Sequence, residues 1–183
     1  AFIDDDAFPK VDWLEKAYKF IKKNSKKKSF LLGGPGILPN NETFFSKLID
    51  LSFRSRVFGS SRYRYSSIKN NLNTFDDWPS VNMIVGRKLF LKLKGFDNNF
   101  WPGEDSKFCN RFIKNGGKII YLHNMIVYHY RRSSFLKHFS QIFKYAFTRG
   151  TFFQNRDKNS FKFSFLLPSL FNLYIVISLV MLK

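Results

Sequence analysis

Three stretches of this sequence combine residue types that can do chemistry. The first is Asp4-Asp5-Asp6, directly after the apolar pair Phe2-Ile3. Two carboxylates two positions apart at a strand end can reach one side of a loop and hold a hard divalent cation through oxygen ligands. A cation held there can bridge and neutralise neighbouring phosphate groups. The second is Glu104-Asp105, which follows Phe100-Trp101-Pro102-Gly103 and opens a helical pattern. The helix dipole keeps a carboxylate ionised at that place, and such a group can take a proton from a hydroxyl. The third is His129 in Val127-Tyr128-His129-Tyr130, whose neutral imidazole is a competent ligand for Mn²⁺ or a similar ion. Each has a plainer reading as well: a solvated acidic turn, a helix N-cap and a hydrogen-bonded strand histidine.

These residues need elements to position them. Phe2 and Ile3 read as the end of a buried strand emptying into the acidic loop, the place where open α/β sheets take their ligands. Pro9 breaks that loop, and Val11 to Lys23 carries Trp13 or Leu14, Ala17, Phe20 and Ile21 at helical spacing. Phe30 to Leu32 is a short strand stopped by Gly33-Gly34-Pro35-Gly36, and Asn41 to Phe53 is a second amphipathic helix with Asn40 or Asn41 as its cap. Residues 54–79 have no clean period and read as a long polar surface loop. Then come a strand at Val81 to Val85, a short helix at Arg87 to Leu93 stopped by Gly95-Phe96-Asp97, and a helix from Asp105 to Asn115 closed by Gly116-Gly117. Strands at Lys118 to Leu122 and Met125 to Tyr130 and a basic, aromatic helix at Ser134 to Tyr145 complete the pattern. Short strands alternating with helices predict an α/β lobe.

The chain has 183 residues, enough for one domain with its own core. Its 31 Lys+Arg against 13 Asp+Glu leave a net charge of +18, a field that attracts anions. The basic residues fall into separate groups, at Lys22 to Lys28, Arg54 to Arg64 and Arg131 to Lys144, instead of one nucleic-acid stripe. The single Cys109 excludes an internal disulfide and fits a reducing compartment. Phe163 to Leu182 carries no charge, and about 20 such residues cross a bilayer as a helix. That predicts a transmembrane or membrane-associated helix over 163–182. Arg149, Arg156, Lys158 and Lys162 just before it put the lobe on the cytoplasmic face of a membrane by the positive-inside rule. Arg131, Arg132, Lys137 and Lys144 with Phe135, Phe139, Phe143 and Tyr145 read as an interfacial helix on anionic lipid, so no nucleic acid is expected as a partner. The opening Ala1-Phe2-Ile3-Asp4 has no Met and no signal-type segment. We therefore expect a fragment with upstream sequence.

In order, these pieces resemble the inverting, GT-A-fold glycosyltransferases of family 2. Phe2-Ile3-Asp4-Asp5-Asp6-Ala7, Pro9 and Asp12-Trp13-Leu14 resemble that family's Asp-x-Asp strand end and following helix. Val81-Asn82-Met83, Gly86-Arg87-Lys88, Phe90, Lys94-Gly95-Phe96-Asp97, Phe100, Gly103-Glu104-Asp105, Phe108, Arg111 and Gly116 or Gly117 resemble its acceptor-side signature. Ile120-Tyr121 and Val127-Tyr128-His129 resemble the strands leading to its C-terminal His.

The resemblance implies a Rossmann-like GT-A partial domain over 1–150, a basic linker over 151–162 and the membrane helix over 163–182. It implies transfer of a sugar from a nucleotide diphosphate sugar to a lipid-linked or saccharide acceptor, with a divalent metal, Mn²⁺ or Mg²⁺. Asp4, Asp5, Asp6 and Arg87 would contact the nucleotide sugar. Asp6 and His129 would bind the metal, and Asp105 would be the general base with Glu104 beside it. Gly34, Trp78, Asn82, Trp101 and Glu104 would line the acceptor site. There are two departures. Pro79-Ser80-Val81 stands where the family has small residues or glycine, and Gln141-Ile142-Phe143-Lys144-Tyr145 only distantly echoes the Gln-x-x-Arg-Trp of processive synthases. Transfer of single sugars is therefore favoured over polymerisation. In this fold the base and ribose are gripped mainly before the Asp-x-Asp segment, so these residues alone are expected to be inactive. The rival readings are a basic membrane-surface or RNA-binding module without catalysis, and a degenerate transferase that keeps only the fold.

Overall fold

The computed structural model describes residues 1–24, 29–55, 62–69, 74–161 and 163–181. The end of the first basic cluster, the two stretches 56–61 and 70–73 of the expected long loop, and Lys162, Leu182 and Lys183 lie outside the described residues.

Seven strands and six helices are described, β1 (Ala7–Pro9), α1 (Trp13–Lys23), β2 (Phe30–Gly33), β3 (Gly36–Ile37), α2 (Phe44–Arg54), β4 (Thr74–Phe75), β5 (Met83–Val85), α3 (Arg87–Lys92), α4 (Glu104–Lys114), β6 (Lys118–Tyr121), β7 (Val127–His129), α5 (Phe135–Gln154) and α6 (Phe163–Met181). They build a mixed α/β lobe. One sheet has the order β4-β6-β2-β5, with β2 and β6 parallel and both outer pairings antiparallel; the other has the order β1-β7-β3.

The run Phe30-Leu31-Leu32 is apolar throughout because successive side chains leave a strand on opposite faces and both faces here are covered. Leu31 and Ile119 point into a core with Trp78, Met83, Phe108, Cys109, Phe112 and Tyr121, under α4. Leu32 points the other way, against Trp13 and Ala17 of α1, Met125 and Val127. Rings dominate the first core: Phe108 meets Phe90, Phe96 and Phe112 with centroids 5.0, 5.6 and 6.0 Å away. Phe2, Phe75, Phe90 and Phe96 pack against it as well, and Cys109 is part of it.

Several sequence expectations are corrected. Phe2 makes one antiparallel bridge, to Met83, and the strand lies after the acidic residues, at β1, where the sequence reads as a Pro-broken loop. Pro9 is tolerated because it ends a three-residue strand. The cap of α2 is Thr43, whose hydroxyl accepts from the Ser46 amide at 3.1 Å, not an asparagine. The expected loop 54–79 contains β4 and ends in the buried pair Asp77-Trp78. Helix α5 runs nine residues beyond Tyr145, to Gln154.

The expected transmembrane helix is also changed. Among the described residues no helix is long and apolar enough to cross a membrane. The uncharged segment does form a helix, α6, with Pro168 inside it. Its 19 residues rise about 28 Å against a hydrocarbon core of about 30 Å. From Leu166 to Met181 its side chains are exposed, apart from the half-buried Ser178.

Asn82 ties the two cores together. Fully buried, it accepts from Trp13 Nε1 at 2.9 Å and donates to the carbonyls of Pro35 at 3.1 Å and Met125 at 2.7 Å. Asn82→Ala leaves the Trp13 indole N–H and the Met125 carbonyl unpaired, while the Pro35 carbonyl keeps the Val127 amide, so we expect a loss of at least about 2 kcal/mol in urea unfolding, with an unchanged slope.

Candidate active site

Two strand pairings bring the acidic loop to its partners. The Phe2–Met83 bridge sets Asp4 opposite the turn that precedes β5, and the Ser80 hydroxyl donates to Asp4 Oδ1 at 3.4 Å. The register Ala7–His129 of β1 on β7 places Asp6 beside the imidazole, with Asp6 Oδ1 3.1 Å from His129 Nε2. Asp4, Asp6 and His129 each offer a ligand atom, all within 4.8 Å of one another. Arg132 closes the group, its Nη1 3.5 Å from Asp6 Oδ2. Asp5 points into solvent.

The donor set fits a hard or borderline divalent cation: two carboxylate oxygens and one imidazole nitrogen, half-buried. Burial, and then the charges of Asp6, Asp5 and Glu104, raise the Asp4 pKa against the Ser80 hydrogen bond. A cation would relieve that repulsion. His129 is neutral at pH 7, because burial and the Arg131 charge push it down to about 4 against the pull of Asp6. Arg131 Nη1 faces His129 Nδ1 at 3.1 Å and has only protons to offer, so Nδ1 accepts and the Nε2 proton points at Asp6. Ligation through Nε2 requires the other tautomer, which makes the two carboxylates the stronger part of the set. Arg131 itself is buried, bonded through Nη2 to Asp50 Oδ1 at 2.9 Å and to the Gly36 carbonyl at 2.6 Å. It therefore anchors β7 to α2 and β3 and does not face lipid as the sequence reading had it.

Asp105 is the second residue of α4, whose N-cap is Gly103, so capping is not its role. The cap has φ +137°, and a side chain there would press on Thr148 and Phe152 of α5. One carboxylate oxygen of Asp105 accepts from the Ser106 amide at 2.6 Å and the other from the Ser80 amide at 3.2 Å. Ser80 thus touches both Asp4 and Asp105 and joins the metal-type cluster to the second acidic pair. Desolvation first, then the charges of Asp77 and Glu104, raise Asp105 from the ordinary 3.8 to about 7. Glu104 is half-buried and accepts from the Gly103 amide at 2.9 Å.

The remaining residues named from the sequence lie elsewhere. Trp78 is fully buried against Phe75 and Tyr121, and Asn82 holds the fold, so neither offers an atom to an acceptor. Gly34 is buried where a Cβ would fall 1.9 Å from the Met125 carbonyl. Its place is close packing. Arg87 is exposed and follows the end of β5 away from Asp4. Trp101 is 67% exposed, beside Glu104 in sequence, with the Lys144 ammonium 5.4 Å from its ring centroid. Sequence reasoning missed Ser80 and Asp77. The one available signal was the departure at Pro79-Ser80-Val81 from the family pattern.

The model of the family described as Glycosyl transferase family group 2 matches residues 1–182. The chain belongs to that family. Its activity is glycosyl transfer, which takes a nucleotide-sugar donor and an acceptor. No curated protein matches this glycosyltransferase. Enzymatic membership sets aside the reading as a non-catalytic binding module.

A half-buried, desolvated acid with a raised pKa weakens the fold when it ionises. For Asp105 the penalty is absent below the unfolded pKa of about 3.8 and grows as pH rises to about 7. Asp105→Asn should therefore raise the unfolding free energy from urea titration at pH 8, by an amount on the order of a few kcal/mol, and leave it unchanged at pH 3.5. Equal effects at both pH values would refute the raised pKa.

Proposed function

We propose that this glycosyltransferase moves a single sugar from a nucleotide diphosphate sugar to a hydroxyl of a saccharide or lipid-linked acceptor, inverting the anomeric carbon on a GT-A-type lobe. The observation that carries the reading is Asp105, ionisable near pH 7 and linked through Ser80 to the Asp4–Asp6–His129 cluster. A base is most effective when its pKa lies near the working pH. Asp105 takes the acceptor proton as its oxygen attacks the sugar from the face opposite the diphosphate. Asp4, Asp6 and His129 would hold Mn²⁺ or Mg²⁺, which when bound offsets the charge developing on the departing diphosphate. Arg132, beside Asp6, supplies a further positive charge there. Glu104 and the exposed Trp101 ring flank the acceptor side.

The test uses the protein as expressed from its gene with a panel of nucleotide diphosphate sugars. Asp105→Asn should lower transfer at least about 10³-fold while donor binding stays within about twofold. Asp6→Asn should weaken Mn²⁺ binding, read by electron paramagnetic resonance, more than about tenfold. Full transfer by the Asp105 variant removes the base assignment, and unchanged Mn²⁺ binding removes the cation site.

Membrane attachment is part of the same proposal. It is supported by the exposed apolar side chains of α6 and by Phe135, Leu136, Phe139, Phe143 and Phe147 exposed on α5. The exposed Arg156 and Lys158 before α6 favour a cytoplasmic lobe. In flotation with vesicles containing phosphatidylserine the protein should rise with the lipid, and Leu170→Asp with Ile175→Asp should leave it at the bottom. Flotation unaffected by the double substitution would sink attachment through α6.

A further inference from the structure

Behind Asp105 lies a second carboxylate that the chemistry above does not use. Asp77 is buried, at 3% exposure. Both its oxygens accept from the Ser106 hydroxyl at 3.0 Å. Arg149 Nη2 of α5 lies 3.2 Å from Asp77 Oδ2, and Arg64 Nη2 3.3 Å from the same oxygen. Three residues later in the chain, the Ser80 amide donates to Asp105. The segment Asp77-Trp78-Pro79-Ser80 therefore grips two consecutive residues of α4, Asp105 by one end and Ser106 by the other. Trp78, fully buried between them, keeps the segment from shifting.

The grip extends to the end of α5. Arg149 also donates to the Ser106 hydroxyl at 3.2 Å and to Ser160 Oγ at 3.2 Å. Asn159 Nδ2 donates to the Ser106 carbonyl at 2.9 Å, and Asp157 pairs with Lys107 and accepts from Asn110 Nδ2 at 2.8 Å. The first turns of α4 are thus fastened from two sides by buried polar contacts, which lose far more when broken than exposed ones.

We propose that Asp77 is a positioning residue for the base: clamped by Arg64, Arg149 and Ser106, it fixes the first turn of α4 and sets a second carboxylate behind Asp105. The proposal rests on Asp105 being the base and adds the residue that tunes it. The charged and titratable groups facing Asp105 are Asp77 from the segment before β5, Glu104 and the Cys109 thiol on its own helix, Arg64 from the turn before β4, and, further off, Tyr145 of α5. Asp77 and Glu104 disfavour the ionised form, Arg64 favours it, and the Ser106 amide hydrogen bond favours it too. Two single substitutions must therefore move Asp105 in opposite directions. A purely structural Asp77 has no reason to produce opposite signs.

The experiment reads the Asp105 side-chain carboxyl itself, by ¹³C NMR titration of the full chain, assigned through Asp105→Asn. Asp77→Asn should lower its midpoint by about one pH unit or more, and Arg64→Met should raise it. An Asp105 midpoint that stays put in folded Asp77→Asn, or moves the same way in both variants, overturns the proposal. If Asp77→Asn does not fold, Arg64→Met decides alone: a midpoint unchanged or lowered overturns it. Because the titration needs no substrate, its outcome is independent of whether transfer itself depends on Asp105.

Discussion

Carboxylates are scarce in this basic chain, yet Asp4, Asp5, Asp6, Asp77, Glu104 and Asp105 gather at one end of the lobe, and most of them are partly or wholly out of water. Burying one ionised carboxylate is costly, and burying several together is worse. The structure meets that constraint in two ways. At Asp77 it supplies two guanidinium groups and a hydroxyl. Where chemistry is wanted, at Asp4 and Asp105, it withholds full compensation and leaves pKa values raised.

The fold can be understood as what it takes to hold that arrangement. The pairing of β1 with β7 sets Asp6 against His129, and Arg131, buried with Asp50, keeps the end of β7 in register with α2 and β3. The Phe-rich core beneath α4 fixes the axis of the helix whose first turn carries Glu104 and Asp105. Asn82 joins the core on one face of the larger sheet to the core on the other, so the turn that carries Ser80 cannot move independently of either. Rigid support is what a base needs, because an error of a fraction of an ångström in its position is an error in the barrier.

A second consequence concerns α5 and α6. Arg149, Asp157, Asn159 and Ser160 bind the junction between these helices to the helix of the base, while their outer faces remain apolar and exposed. The junction therefore ties the helices that carry the surface proposed for lipid to the helix that carries the base.

The helices α1 to α5 and the strands β2, β5, β6 and β7 were legible in the sequence, while the short strands β1, β3 and β4 were not, because apolar spacing and glycine stops are local properties written in consecutive residues and two- or three-residue strands are too short to show a period. Trp78 and Asn82 were misread as acceptor residues for the same reason: their positions in the pattern were visible, their burial was not. Arg131 looked like one more cation in a basic cluster and became the inner anchor of β7 only when Asp50, 81 positions earlier, came within 2.9 Å. Asp77 carried no signal in a polar stretch without a period, and Ser80 only the departure from the family pattern at Pro79-Ser80-Val81. What selects them is which charges end up facing one another after desolvation, and that energy depends on distances between residues far apart in sequence, which only the tertiary structure decides.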